Sequence, residues 1–342
     1  MRIESLWREL ELEARSGGAA AWLTRYALPE PSTPLLVGLE TANSRRALLL
    51  PIPASAMPPR RDWPHCGGLE VFANSFGGTT HLGVRLIDAP CADVFTALAE
   101  DVAPRVAAAS DPREAAKAML ARLRRWQRFL AAGSGGLSLE RQRGLFGELH
   151  ALREHILPSL GASRAVAGWR SPLRTHQDFQ FSAAAIEVKT TVAKQPISVR
   201  ITSERQLDAV GSRALFLYVL MLDERETDAG PGTRGETLPE LVRHLRQGFS
   251  QDVLESFDDR LLEFGYLEVD APRYEARRFT KRQERAFLVS EDFPRITEAV
   301  LPVGIGDISY ALSLAACEPF AVSVEQMLAT IRSLIELLPS GG

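Results

Sequence analysis

Lysine is nearly missing from this sequence: positions 117, 189, 194 and 281 hold it, so 36 of the 40 basic residues are arginine. Any lysine at a chemically apt position therefore stands out. Cysteine is also sparse. Cys66, Cys91 and Cys317 are far apart and odd in number, which argues against a disulfide framework and against a paired-cysteine metal knuckle, and leaves buried thiols as the expectation. No run of 18 apolar residues occurs, and the N-terminal MRIESLWREL is charged and amphipathic rather than signal-like. A cytoplasmic protein without membrane contact is expected. The net charge of -3 disfavours a general polyanion binder, so nucleic-acid contact must come from local patches. A phosphate-binding G-x-x-x-x-G-K-[ST] loop, a G-x-G-x-x-G turn, an H-E-x-x-H helix and a G-x-S-x-G elbow are all missing. Fuel-driven steps would need a partner protein.

What is present is ordinary globular material: 342 residues, 45% hydrophobic and 24% charged. That length suits two parts, each with its own core. Residues 35–51 read as two strands joined around Ala42, Asn43 and Ser44, and residues 69–87 as a hairpin turning near Gly77 and Gly78. Helical spacing follows over 93–106 and 112–131. This predicts a β-rich α/β domain over 1–110, without visible chemistry, and a connector over 111–136. The second helix carries Arg113, Lys117, Arg122, Arg124, Arg125 and Arg128 against Glu114, which reads as a solvated face or as a phosphate-tracking one. Gly133, Ser134, Gly135 and Gly136 break it as a hinge.

From 137 onward the order is helix, strand, strand, strand, helix, strand. Ser138 can cap a helix reaching Ile156, with Leu145, Leu149, Leu152 and Ile156 in one stripe. Residues 178–181 alternate as a strand, AAIEVKTTV and PISVRITS are rich in β-branched residues, and Ser203 with Gln206 fits a capping box opening a helix. Residues 214–222 suit a strand buried on both faces. Beyond lie helical segments near 237–264, a hairpin over 274–289, a strand within DISYALSLAAC and a helix after Ser323. The hairpin region is locally basic with interleaved aromatics, so it reads either as a solvated hairpin or as a base-stacking surface.

In IEVKTT, at 186–191, strand alternation puts Glu187 and Lys189 on one face about 7 Å apart. Asp178 lies nine residues before Glu187, a spacing that lets a hairpin bring the two carboxylates together if the register agrees. Adjacent carboxylates repel unless a cation lies between them, and Mg²⁺ suits their hard oxygens, with the Val188 carbonyl as a further ligand. Lys189 could hold the attacking water, a task that arginine performs poorly because its pKa stays above about 12. It is the only lysine two residues after an acid in the sequence. Glu148 lies at the rim of the first helix's apolar stripe and adds a third acid, or is a plain surface residue. His176 shares the Asp178 strand face or is a solvated strand end. Gln206 either reaches the site or caps the helix, and Arg200 and Arg205 could approach DNA.

The run GELHAL, HQDF, IEVKTT and ITSERQL resembles the core of the PD-(D/E)XK nucleases, in particular bacterial members associated with restriction and phage-defence gene clusters. The resemblance covers 140–222; Gln177 stands where the family name has proline. It implies an α+β fold with a restriction-endonuclease-like αβββαβ core, here at 137–342 with a mixed C-terminal extension. It further implies Asp178 and Glu187 as metal ligands, Lys189 as the catalytic amine and Glu148 as the first-helix acid. The function expected is Mg²⁺-dependent cleavage of DNA, with Mn²⁺ substituting. The alternative is an inactive nuclease-fold subunit that binds nucleic acid or proteins. Arg200, Arg205, Arg277, Arg278, Lys281 and Arg282 are the candidate DNA contacts. Possible partners are an operon-encoded ATPase or methyltransferase and a second copy of the chain.

Overall fold

In the computed structural model, residues 3–17, 20–27, 34–65, 68–87, 92–131, 136–171, 176–226 and 234–337 are described. The chain divides into two compact units, residues 1–136 with 267–269, and residues 137–266 with 270–342.

The first unit opens with α1 (Ile3–Arg15), whose Ile3, Leu6, Trp7 and Leu10 fall on one face and are buried. An antiparallel sheet follows: β1 (Trp22–Tyr26), β2 (Leu36–Glu40), β3 (Arg45–Pro51), β4 (Leu69–Phe76) and β5 (Thr79–Leu86), in the order β1-β2-β3-β5-β4. Both expected hairpins form. Two helices close the unit, α2 (Ala92–Ala107) and α3 (Pro112–Ala131). α3, expected as a connector, packs along α2 and buries Met119, Leu123 and Trp126. Arg122 is neither solvated nor free for phosphate, because it is 4% exposed and ion-paired with Asp101.

The second unit begins at α4 (Leu139–Ala151), whose cap Ser138 accepts from the Arg141 N–H as its sequence foretold. The helix continues through one π-helical turn (Leu152–Ile156) into α5 (Leu157–Leu160), then α6 (Ala162–Gly168). The central sheet contains β6 (Phe179–Phe181), β7 (Ala184–Thr191) and β9 (Ala214–Glu226); β8 (Ser198–Ile201) leaves it to join a second small sheet. After β9 come α7 (Leu238–Gln247), α8 (Gln251–Phe264) and α9 (Ala271–Tyr274). β10 (Arg277–Leu288), β11 (Tyr310–Ser313), α10 (Leu314–Cys317), β12 (Ala321–Val322) and α11 (Val324–Leu337) complete the unit. Strand order is β12-β10-β9-β7-β6, with β7 and β9 parallel and β11 paired to β8.

β9 is the apolar run read from the sequence, buried from Ala214 to Leu222 because cores form on both sides. One face packs Ile186, Val188, Phe216, Tyr218 and Leu220 under α4, α7, α8 and α11. The other packs Ala185, Leu215, Leu217 and Val219 against Val199, Ile201, Leu207, Phe293 and Cys317. The result is a PD-(D/E)XK-like α+β fold. Cys317 is buried and free; Cys66 and Cys91 lie outside the described residues, as do Ser134 and its neighbours up to Gly135.

Two local expectations are corrected. The segment after Ser203 is a turn, not a helix: Ser203 Oγ accepts from the Arg205 N–H, and the Gln206 side chain points elsewhere. Residues 277–288 form one long strand along β9, interrupted by a bulge between Lys281 and Gln283 rather than by a hairpin turn.

Candidate active site

The antiparallel register pairs Phe179 with Ile186 and Gln180 with Ala185. One step outward, Asp178 stands across from Glu187, which sets both side chains on the same face. Past Glu187, β6 no longer runs beside β7, and the Val188 N–H on that open edge donates to Asp178 Oδ2 at 2.7 Å. Because the N–H and C=O of a strand residue point to the same edge, the Val188 carbonyl also faces the Asp178 side.

Glu148 arrives on α4, and a glycine lets it. A methyl group on Gly147 would lie 2.1 Å from Thr190 Cγ2, so only glycine permits this approach of α4 to β7. Glu148 is 5% exposed, far from the surface residue that was the alternative. Its carboxylate accepts from Trp169 Nε1 at 2.6 Å and from Ser171 Oγ at 3.1 Å. The Ser171 backbone N–H also donates to the Asp178 carbonyl at 3.1 Å, tying the two acid-bearing segments together.

Lys189 Nζ lies 2.8 Å from Glu187 Oε1 and donates to Gln206 Oε1 at 3.1 Å. The Gln206 oxygen is fixed by the Thr202 N–H at 2.8 Å and the Thr202 hydroxyl at 3.1 Å. Gln206 thus reaches the lysine from a turn. Glu187 is 1% exposed; Oε1 meets the lysine, and Oε2 has no hydrogen-bond partner.

The charges are poorly balanced. Burial, then the negative charge of Asp178, push the Glu187 carboxyl up to about 8, against the pull of Lys189. Burial raises Glu148 well above its ordinary range, with Asp178 adding to it. Burial raises Asp178 too, although Lys189, the Val188 N–H and Ser171 oppose it. Lys189 is raised despite its own burial, because Glu187 and Asp178 surround it with negative charge. Three acids share one ammonium. Asp178, Glu187 and the Val188 carbonyl are hard-oxygen donors of the kind that suit a divalent cation, which would also satisfy Glu187 Oε2. Among the described residues the three carboxylates are not gathered within 4.8 Å of one another, so Glu148 would act on the ion through water.

The other candidates are placed elsewhere. His176 is exposed and lines a surface pocket with Ser203, Glu204, Arg205 and Glu298. Arg200 donates to Ser309, and Arg205 pairs with Glu298 at 3.2 Å. Arg277 pairs with Glu224 and Glu226, Arg278 with Glu240, Lys281 with Glu284 and Arg282 with Asp223. The aromatics between them, Phe279 and Phe287, are buried, so this strand is no base-stacking platform. Trp169 and Ser171, which hold Glu148, went unnoticed in the sequence; they lie in an irregular connection that carries no periodic signal.

Residues 3–315 match the profile of a family described as "Putative PD-(D/E)XK family member, (DUF4420)". No curated protein and no solved structure matches.

Proposed function

Since the chain belongs to this PD-(D/E)XK family, we propose that it is a Mg²⁺-dependent endonuclease that hydrolyses DNA phosphodiester bonds in bacterial restriction or phage defence. One observation carries the reading: Glu187, wholly buried, has only the Lys189 ion pair at Oε1 and no partner at Oε2, beside the negative charge of Asp178. Leaving a buried acceptor unpaired costs about 1–3 kcal/mol, more for a charged group, and the neighbouring acids add repulsion to that cost. A divalent cation at these carboxylates would relieve it, which supports a metal nuclease over an inactive scaffold.

Asp178 and Glu187, with the Val188 carbonyl, are the residues to hold the ion, and Mn²⁺ suits the same oxygens. When bound, the cation supplies positive charge against the phosphate and acidifies a nearby water. Lys189 orients the attacking water and offsets charge gathering on the phosphate, with its ammonium aimed by Gln206. Glu148 positions the ion's outer side, itself held by Trp169 and Ser171. Duplex cleavage calls for two sites, so a homodimer is expected, and an operon-encoded ATPase or methyltransferase would supply any fuel or strand marking.

Supercoiled and linear DNA incubated with Mg²⁺ or Mn²⁺ tests this, with Asp178→Ala and Lys189→Ala as controls. Metal-dependent cutting that both substitutions abolish is expected. Cutting that survives both would overturn the assignment, as would folded protein that binds neither ion.

A further inference from the structure

The sheet's other face holds a second group of potential ligands that the nuclease reading leaves unused. His150 on α4, His155 in the π-helical turn and Glu284 on β10 each offer one donor atom, and the three atoms lie within 4.8 Å of one another. Tyr218, whose hydroxyl donates to Glu284 at 2.7 Å, belongs to the core under α4, whereas Glu187 is aligned with Leu217 of the opposite core. The two groups are therefore separate.

The backbone explains how the histidines meet. In an α-helix, residues five apart point about 140° away from each other. The π turn at Leu152–Ile156 inserts one extra residue into the helix between them, and the rings of His150 and His155 lie 6.2 Å apart, centre to centre. Such turns are rare and recur at functional sites. His150 is 6% exposed, and its Nδ1 is buried with no partner. His155 Nε2 already lies 2.9 Å from Glu284 Oε2. Tyr218 and Lys281 also hydrogen-bond Glu284, at 2.7 and 3.0 Å.

We propose that His150, His155 and Glu284 form a second metal site, specific for a zinc-class transition ion rather than Mg²⁺, which ties the helix bearing Glu148 to β10. Two imidazoles and a carboxylate suit Zn²⁺, with a fourth position left to water, whereas Mg²⁺ wants oxygen throughout. Tetrahedral ligands at about 2.1 Å lie roughly 3.4 Å apart, so the donors close on the ion by modest side-chain rotations. Lys281 Nζ, 3.0 Å from Glu284 Oε1, repels the incoming ion, but its side chain is 43% exposed and free to swing into water. The Tyr218 hydroxyl stays on Glu284 to orient it.

The test uses the full chain carrying Asp178→Asn and Glu187→Gln, so that the nuclease site cannot contribute. After chelation, this protein is titrated with Zn²⁺ alone, and with Co²⁺ as a visible-absorption reporter, in excess Mg²⁺. One equivalent of Zn²⁺, tetrahedral Co²⁺ bands and a rise in melting temperature are expected. Adding His155→Gln or Glu284→Gln should weaken uptake by more than the roughly 10–100-fold that losing a supporting residue such as Tyr218 costs. Circular dichroism verifies the fold of each variant. Absence of uptake by the folded starting protein overturns the proposal, as does uptake undiminished in His155→Gln and Glu284→Gln. If one variant fails to fold, the other and the starting protein's titration still decide.

Discussion

Each unit contains a cluster of charged side chains, and the two are composed in opposite ways. In the first, the Arg46 guanidinium bonds Glu4 at 2.7 Å and Glu11 at 2.8 Å and lies 5.3 Å from the Trp7 ring centre, while Arg8 and the Thr96 hydroxyl also reach Glu4. Two cations meet two anions. In the second, Glu148, Asp178 and Glu187 have one Lys189 between them, so full ionisation leaves two negative charges in excess. Charge that serves the fold is matched by partners; charge kept unmatched inside a protein marks a candidate functional site.

Breaking the unmatched cluster should have the largest effect, and on activity rather than stability. Glu187→Gln or Asp178→Asn is expected to lower the rate of DNA cleavage by about three orders of magnitude, since metal-borne charge stabilisation amounts to several kcal/mol. The same substitutions remove repulsion, so the metal-free protein should melt higher than the parent. Parallel cleavage assays and melting curves under chelation check both, and a drop in stability with unchanged activity would reverse the roles assigned to the clusters.

Gly147→Ala should come next. Its methyl group meets Thr190 2.1 Å away, and overpacking of this kind costs about 1–3 kcal/mol. Because α4 also carries Glu148, a melting-point fall should come with slower cleavage, measurable on the same samples.

These residues also show what the sequence could convey. The Asp178–Glu187 pairing was legible because strand alternation and a nine-residue spacing are local facts, and β9 was legible as an unbroken apolar run. The burial of Glu148 depends on a contact between α4 and β7 that no local pattern records. Ser203 and Gln206 obey a capping rule in sequence, yet Lys189 and Thr202 take the glutamine oxygen. Alternating charge and aromatic residues over 277–288 suggested a hairpin, whereas a bulge lets a single strand follow the length of β9. Local pattern fixes elements; competition for hydrogen bonds and close approach of distant elements decide the rest.

Metal removal and pH sharpen the comparison at a smaller scale. The Glu187 carboxyl is raised to about 8 from an ordinary 4.5, so the folded chain holds its proton more tightly than the unfolded one. Between those values the metal-free protein should lose stability as pH rises. Saturating Mg²⁺ should suppress that loss by favouring the ionised form. Urea midpoints across this range, with and without the ion, measure it; an identical slope in both would count against a cation at these carboxylates.

The matched cluster should answer pH in the other direction and more weakly. Burial opposes the charge of Glu4, but hydrogen bonds from Arg46 and Thr96 prevail and hold its carboxyl below 4.5. Its stabilisation is therefore complete above that value and is lost as pH falls through the lowered one. Glu4 keeps 28% of its side chain exposed, so solvent screens these contacts, and Glu4→Gln should cost about 1 kcal/mol or less. Hydrogen exchange over α1 is the suitable probe, because Glu4 and Trp7 lie on that helix and a local loss shows there first. Faster exchange in Glu4→Gln at neutral pH, converging with the parent in acid, is the expected pattern, and added Mg²⁺ should leave it unchanged. A Mg²⁺-sensitive response at α1 would mean that matched charge, too, takes a cation, and the contrast between the clusters would fail.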